Sequence, residues 1–230
     1  MNTDHQRHIK TRLPIFNELV RTMARAAGLL GIFATVGTAA LALTYTVTKE
    51  RIEANAHAAL ARSLQQIVPS GRYDNDITAD ILVVNDASLR TNGTVTVYRA
   101  RKEGVPVAAV FTTVASDGYS GNINLLIGVN VDGTIAGVRI ITHKETPGLG
   151  DKIEIDRSPW ITKFVGRSLQ NPEITRWAVR KDGGSFDQFS GATITPRAVV
   201  GAIKRTLQYY ETHHDVLFSS QRGSLHYDHT

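Results

Sequence analysis

The chain contains no cysteine among its 230 residues. It therefore carries no cysteine-ligated iron–sulfur cluster, no thiol nucleophile and no thioether-linked haem. A lack of cysteine also fits an oxidising compartment, although there is no disulfide pattern that would identify one. A Gly-x-Ser-x-Gly nucleophile elbow is missing too, and His143 has no partner at metal-ligand spacing. We therefore expect neither a catalytic residue of the hydrolase type nor a metal site.

Charge is absent from one long stretch, residues 26–48, which is rich in Ala, Leu, Gly, Val and Thr. As a helix it is long enough to cross a hydrocarbon core of about 30 Å. A buried core helix rarely runs this far without a charge. A signal peptide has a shorter apolar centre and a small-residue cleavage site, whereas Thr48-Lys49-Glu50-Arg51 follows here. The sequence predicts an uncleaved transmembrane helix over residues 26–48.

Basic residues are unevenly distributed about this stretch. Those before it are Arg7, Lys10, Arg12, Arg21 and Arg25, and those soon after it are Lys49, Arg51 and Arg62. The excess on the N-terminal side predicts that residues 1–25 are cytoplasmic and that the remainder lies outside, in a bacterial periplasm. The same flank accounts for much of the net charge of +5. No basic stripe with interleaved aromatics follows, so we expect no nucleic-acid partner.

The rest of the chain predicts an α+β fold. Residues 49–70 form an amphipathic stalk helix, residues 71–213 a folded domain, and residues 214–230 a polar C-terminal tail. Strands are expected over 94–101, 105–114, 124–131 and 134–142, giving a largely antiparallel, twisted sheet flanked by helices. The Asp-Gly pair at 132–133 predicts a type I′ hairpin turn.

Three less regular elements complete the prediction. A short helix is expected over residues 159–169 and a short strand over 176–180. The clearest helix of the soluble part starts with Thr195 as its N-cap and Pro196 at its first position. Its apolar face consists of Val199, Ala202, Ile203, Leu207 and Tyr210.

The loop before this helix is the most informative segment. Residues 187–193 read Asp-Gln-Phe-Ser-Gly-Ala-Thr, with small residues and two hydroxyls next to a helix start. A helix N-terminus has unpaired N–H groups and a partial positive charge, so it suits a phosphate. The alternative is that Ser190 and Thr193 only satisfy backbone groups of the loop.

Two other loops are unusual. Residues 143–152 form a glycine-rich run, His-Lys-Glu-Thr-Pro-Gly-Leu-Gly-Asp-Lys, and residues 117–121 read Asp-Gly-Tyr-Ser-Gly. The first could be an ordinary connection with a turn at Pro147-Gly148. In the second, Tyr119 is available to stack on a planar ligand, or is simply an aromatic residue in a surface turn.

Together with the N-terminal helix, these three loops resemble the G subunit of the Rnf ion-translocating electron-transport complexes, also called the SoxR-reducing complex. The matching segments are 118–121, 143–152 and 186–196, and the resemblance extends over nearly the whole chain. The C-type subunit of sodium-translocating NADH:quinone reductase has the same flavin domain and is the nearest alternative. A non-redox envelope scaffold that keeps the fold without flavin is the alternative from another class.

The resemblance implies a covalently bound FMN cofactor. In this family a flavin transferase uses FAD to join the FMN phosphate as a phosphoester to the threonine that corresponds to Thr193. Asp187 corresponds to the acidic residue with which the transferase's recognition pattern begins, and Gln188 stands where that pattern often has glycine. The positions expected to contact the flavin are Gly118, Tyr119, Ser120, Glu145, Thr146, Gly148, Leu149, Ser190, Gly191 and Ala192.

The resemblance also implies a cellular role. The chain would be a single-pass protein of the bacterial inner membrane and an electron-carrying subunit of a translocase, with no catalytic residue of its own. Its partners would be the other subunits of the complex and, during maturation, the flavin transferase.

Overall fold

The computed structural model describes residues 12–89, 93–219 and 224–226, with side chains described for 18–89 and 93–219. The chain divides into two units, Met1–Ala58 and Ala59–Thr230. Helix α1 (Arg12–Ile67) is the only element described in the first unit, and its last residues belong to the second.

Helix α1 is uninterrupted for 56 residues, which corresponds to roughly 84 Å at the α-helical rise. The predicted span and the predicted stalk are therefore one helix. Its apolar side chains are exposed, as in Leu30, Phe33 and Leu41, each more than two-thirds accessible. Among the described residues it is the one helix long and apolar enough to cross a membrane.

The second unit is built on a sheet of order β5-β4-β3-β2-β1-β6. Its strands are β1 (Ile81–Asn85), β2 (Val95–Lys102), β3 (Val105–Gly118), β4 (Gly121–Asn130), β5 (Ile135–Thr142) and β6 (Ser224–His226). The first five pair antiparallel, and β6 joins β1 in parallel. The predicted α+β class and the four predicted strands β2 to β5 are confirmed, whereas β1 and β6 were not predicted.

The hairpin turns differ from the prediction in one respect. Both Glu103 and Gly104 have positive φ, at 53° and 79°, so the two-residue type I′ turn lies between β2 and β3. At the predicted place only Gly133 has positive φ, and its N–H donates to Asn130 O. Asp132 instead accepts from the Thr134 N–H and hydroxyl. This carboxylate interaction holds a longer turn, so the type I′ prediction for residues 132–133 was wrong.

The two faces of the sheet pack on different elements. On one face, the end of α1 buries Leu64 and Ile67 against Ala108, Val110 and Leu126. On the opposite face, helix α2 (Ile194–Leu217) and the irregular segments before it enclose the larger core. The sheet is therefore flanked by helices, as predicted, with one helix packed on each face.

The segment between β5 and α2 consists of short 3₁₀ turns around an aromatic cluster. The predicted helix over 159–169 is a 3₁₀ helix confined to Pro159–Phe164. The strand predicted over 176–180 is wrong, because Val179 makes only one isolated bridge, to Phe186. The cluster is formed by Trp160, Phe164, Trp177, Phe186 and Phe189. Ring packing replaces regular backbone pairing in this part of the domain.

Helix α2 begins earlier and ends later than predicted. Thr193 is its N-cap and Pro196 its third residue, so Thr195 lies inside the first turn. The helix continues to Leu217, which is fully buried, past the point where the sequence suggested a polar tail. Two arginines of β2 hold the end of this helix: Arg99 donates to Ser219 O and Arg101 to Phe218 O. Positive charge at a helix C-terminus is stabilising, and these contacts fix the end of α2 to the sheet.

Candidate functional site

The topology brings the three unusual loops to one edge of the sheet. Strands β3 and β5 run in the same direction and are separated only by β4. Their last residues, Gly118 and Thr142, therefore lie at the same edge of the sheet. Adjacent strands lie about 4.8 Å apart, which puts the loops that follow them within roughly 10 Å of each other. Helix α2 begins beside them.

A cleft of about 330 Å³ lies where these loops meet. Its lining residues are Tyr119, Glu145, Thr146, Leu149, Gly150, Gly191, Ala192, Thr193, Ile194 and Thr195. Seven of the sequence-predicted positions are in this set. The remaining lining residues are Gly150, Ile194 and Thr195. They lie inside the matching segments 143–152 and 186–196 but were not among the positions expected to contact the flavin.

The turn before α2 presents Thr193 to the cleft. The Ala192 N–H donates to Phe189 O at 3.1 Å, and Gly191 at the third position has φ of 80°. Positive φ at that position is the mark of a type II turn, which glycine adopts without strain. Ser190 and Gly191 are exposed at the tip of this turn. The predicted role of Gly191 in letting the chain turn closely therefore has a local conformational cause.

Thr193 itself is partly buried and has helical backbone angles, and its hydroxyl makes no capping bond. No hydrogen bond of this hydroxyl is found in the described part of the chain. Within the same part, the backbone N–H groups of Ile194 and Thr195 also have no partner, and Pro196 has no N–H. The helix start thus offers a free hydroxyl next to unpaired donors, which fits a phosphoryl group.

Glu145 connects all three loops. Its Oε1 accepts from the backbone N–H of Ser120 at 2.9 Å, and its Oε2 accepts from the hydroxyl of Thr195. The residue is only 4% exposed. Its own N–H donates to Nδ1 of His143, at 3.0 Å. That bond requires Nδ1 to be unprotonated, so Nε2 of His143 carries the proton and donates to Glu154 at 2.7 Å.

Two glycines leave space for the Glu145 side chain. A Cβ added to Gly118 would lie 2.9 Å from Glu145 Oε1 and even closer to the Gly121 carbonyl. A Cβ added to Gly150 would lie 2.9 Å from Glu145 Cβ and 3.0 Å from Thr195 Oγ1. These distances are below ordinary van der Waals contact. Gly118 is not among the residues that line the cleft. Its contribution to the site is that its backbone closely approaches the Glu145 side chain.

The outer part of the cleft is apolar. Tyr119 is 68% exposed and Leu149 is 42% exposed, and both line the cleft from different loops. Leu149 follows a turn in which Pro147 and Gly148 are the central residues, and its N–H donates to Thr146 O. Gly148 has φ of 78°, as the third position of a type II turn requires. An exposed aromatic ring and an aliphatic side chain here suit a flat ligand.

Asp187 lies apart from this cleft. Its carboxylate contacts Lys163 Nζ at 2.7 Å and Arg180 Nε at 2.9 Å. The hydrogen bond from Lys163, together with the charges of Lys163 and Arg180, lowers the pKa of the Asp187 carboxyl. Its backbone carbonyl accepts from Nε1 of Trp160, which ties the loop to the aromatic cluster. Asp187 thus lines a second, basic cleft with Trp160, Lys163, Arg167 and Arg180.

Comparison with known proteins gives two family matches. The FMN-binding domain matches residues 118–208, and the RnfG N-terminal region matches residues 15–67. The first match begins at Gly118 and includes all three loops and the start of α2. The curated relatives include proteins named as the G subunit of an ion-translocating oxidoreductase complex. One from Pseudoalteromonas atlantica is 46% identical over 199 residues, covering 86% of this chain and 93% of the relative.

Two further relatives carry the same name. The protein of Shewanella loihica is 45% identical over 200 residues, covering 86% of this chain and 94% of its own length. That of Pseudomonas aeruginosa is 43% identical over 207 residues, covering 90% and 97%. The chain belongs to the RnfG family, the G subunits of ion-translocating oxidoreductase complexes. The RnfG N-terminal match favours this family over the C-type flavin subunit that the sequence left as an alternative.

Proposed function

We propose that this chain is the membrane-anchored flavoprotein subunit of an ion-translocating electron-transport complex, with FMN attached as a phosphoester to Thr193. The proposed attachment is supported by the free hydroxyl of Thr193. This residue lines the cleft where the three loops meet (the three-loop cleft), at a helix N-terminus with unpaired N–H groups. A hydroxyl that already capped the helix would have to give up that bond to be modified. Thr193 has no such bond to lose.

The attachment reaction would use FAD as the donor of the FMN group. Thr193 Oγ1 would form a bond to the phosphorus of the flavin half, and the bond between the two phosphates would break. AMP would leave, and the hydroxyl proton would pass to a base of the transferase. The N–H groups of Ile194 and Thr195 and the dipole of α2 would stabilise the charge of the phosphoester.

The remaining cleft residues would hold the ring system. Tyr119 and Leu149 offer apolar contact from different loops. Thr146 also lines the cleft, and Gly191 and Ala192 directly precede the attachment point. Ser120, Gly148 and Ser190 act through the turns and backbone contacts that shape these loops. Bound flavin supplies one- and two-electron redox chemistry, and the protein supplies position and polarity.

The helix α1 would anchor the domain in the inner membrane of a bacterium, with the N-terminus cytoplasmic and the flavin domain in the periplasm. The support is the excess of Arg and Lys before the uncharged stretch. Other subunits of the complex would exchange electrons with the flavin, and a flavin transferase would recognise the 187–193 loop during maturation.

Thr193→Ala tests the attachment. In the full chain expressed with a flavin transferase, we expect this variant to lose all flavin absorbance near 450 nm that survives denaturation. Thr193→Ser, which keeps a hydroxyl in the same place, should retain it. Thr175→Ala removes an exposed threonine hydroxyl elsewhere and should leave loading unchanged.

Full covalent loading of Thr193→Ala would refute the proposed site. An unaltered chain that never acquires denaturation-resistant flavin would instead favour the scaffold alternative. Mass spectrometry of the peptide containing Thr193 distinguishes attachment there from attachment at another residue.

A further inference from the structure

We infer that Glu145 is the positioning residue of this site: it ties the three loops together before any flavin is attached, and it fixes a negative charge at the base of the cleft. The second part rests on the proposed function, since it concerns a flavin in the same cleft. The first part concerns the chain alone and stands or falls without flavin.

The tie follows from the contacts of the carboxylate. One oxygen accepts from Ser120 on the β3–β4 loop, and the other accepts from Thr195 in the first turn of α2. Glu145 itself belongs to the loop after β5. One side chain thus joins segments 25 and 50 residues away in sequence. Among the described residues, no other side chain forms hydrogen bonds that join these three segments.

The packing shows that the position is built for this side chain. Gly118 and Gly150 approach it so closely that a methyl group on either would collide with its atoms. At 4% exposure, and with both oxygens occupied by protein donors, the carboxylate is engaged inside the protein. We therefore assign Glu145 to organising the cleft, in contrast to the direct flavin contact that the resemblance implied.

The charge follows from the donors. An N–H and a hydroxyl both point at the carboxylate, which is the pattern of an ionised acceptor. No Lys, Arg or His forms an ion pair with it in the part of the chain that the structure describes. The buried negative charge of Glu145 is stabilised by its two hydrogen bonds and by the N-terminal dipole of α2. A fixed negative charge in a cleft of low polarity opposes the arrival of electrons on a neighbouring ring, so it lowers the reduction potential.

The tie is tested first in a chain that cannot carry flavin. In full-length Thr193→Ala in detergent, amide hydrogen exchange is followed at Ser120 and across residues 145–150. We expect Glu145→Ala to speed exchange of the Ser120 amide at least tenfold. Glu145→Gln should largely restore protection, since its amide can accept from Ser120 and donate to Thr195. Glu173→Gln, which changes an exposed carboxylate with no ion pair among the described residues, should have no effect.

Unchanged protection of Ser120 in Glu145→Ala would overturn the tie. If that variant does not fold, Thr195→Val removes one of the two bonds at nearly constant volume. It should speed exchange across residues 145–150 to a smaller extent, and no change in this variant would count against the tie.

The charge is tested in the chain with Thr193 intact. Covalent loading is measured first, by fluorescence of the denatured protein. In the loaded protein, Glu145→Gln should shift the flavin midpoint potential upward, while Glu173→Gln leaves it unchanged. An unmoved or lowered potential in Glu145→Gln would refute the charge role. Failure of the unaltered chain to load would refute the proposed function and leave the exchange result for the tie intact.

Discussion

The motif at residues 187–193 contains two polar residues with different surroundings. Thr193 lines the three-loop cleft with a free hydroxyl, whereas Asp187 is held by Lys163 and Arg180 on the basic cleft. The sequence groups them because they are close along the chain. In the structure, the turn at Ser190-Gly191 separates the two residues. A transferase that recognises both would therefore have to contact both clefts or bind the loop in a different conformation.

The lowered pKa of Asp187 predicts a pH-dependent contribution to stability. A carboxyl whose pKa falls on folding stabilises the protein above its unfolded pKa, near 4, and loses that effect as the pH falls through the folded value. Asp187→Asn should therefore lower the free energy of unfolding at pH 7 by less than about 1 kcal/mol, since the pair is substantially exposed. The difference from the unaltered chain should vanish at low pH.

Urea denaturation of both chains at pH 7 and pH 3 measures this. Asp117→Asn, which removes an exposed carboxylate with no ion pair among the described residues, serves as the control. A stability difference for Asp187→Asn that is as large at pH 3 as at pH 7 would contradict the assignment.

The placement of Thr193 at the start of α2 could be predicted because it belongs to a short contiguous motif. The role of Glu145 could not, because its two acceptor contacts reach residues 25 and 50 positions away and depend on how the loops fold. From the sequence it was one polar residue in a glycine-rich run.

At the scale of elements, local patterns predicted most of the sheet. Strands β2 to β5 are rich in β-branched residues and are joined by short turns, so each has its signal within its own segment. Strand β1 has only five residues, and its place depends on pairing with β2, so it was missed. The strand expected over 176–180 was wrong because this segment packs into the aromatic cluster through Trp177. Among the described residues, its one backbone bridge is the isolated pair Val179–Phe186.

The packing of α1 on the sheet gives a prediction at this scale. A Cβ on Gly128 would collide with Ile67, and Gly137 also faces Ile67 closely. Gly128→Ala should therefore lower the free energy of unfolding by about 1–3 kcal/mol, the usual cost of overpacking a core. Gly71→Ala, at an exposed position with open space, should cost far less.

Thermal or urea unfolding of the two variants makes the comparison. Combining Gly128→Ala with Ile67→Ala should give a total smaller than the sum of the two single effects, because the collision is then removed. Strict additivity would show that Ile67 is not the residue that Gly128 accommodates.

At the scale of the whole molecule, the proposed topology can be tested directly because the chain has no cysteine. Glu18→Cys and Asp156→Cys each introduce a single thiol at an exposed position, one before and one after the uncharged stretch. We expect a membrane-impermeant maleimide to label the Asp156 position, but not the Glu18 position, in cells whose outer membrane has been opened. Labelling in the reverse pattern would place the flavin domain in the cytoplasm.

The aromatic cluster has a consequence for how the molecule can be observed. The chain has only two tryptophans, and both Trp160 and Trp177 are at most 4% exposed within this cluster. Trp160 also donates its indole N–H to the Asp187 carbonyl, beside the turn that leads to Thr193. The intrinsic emission of the protein should therefore be blue-shifted when folded and should report on this loop. Because flavin absorbs where tryptophan emits, loading at Thr193 should quench that emission, and the chain would then report its own maturation optically without an added dye.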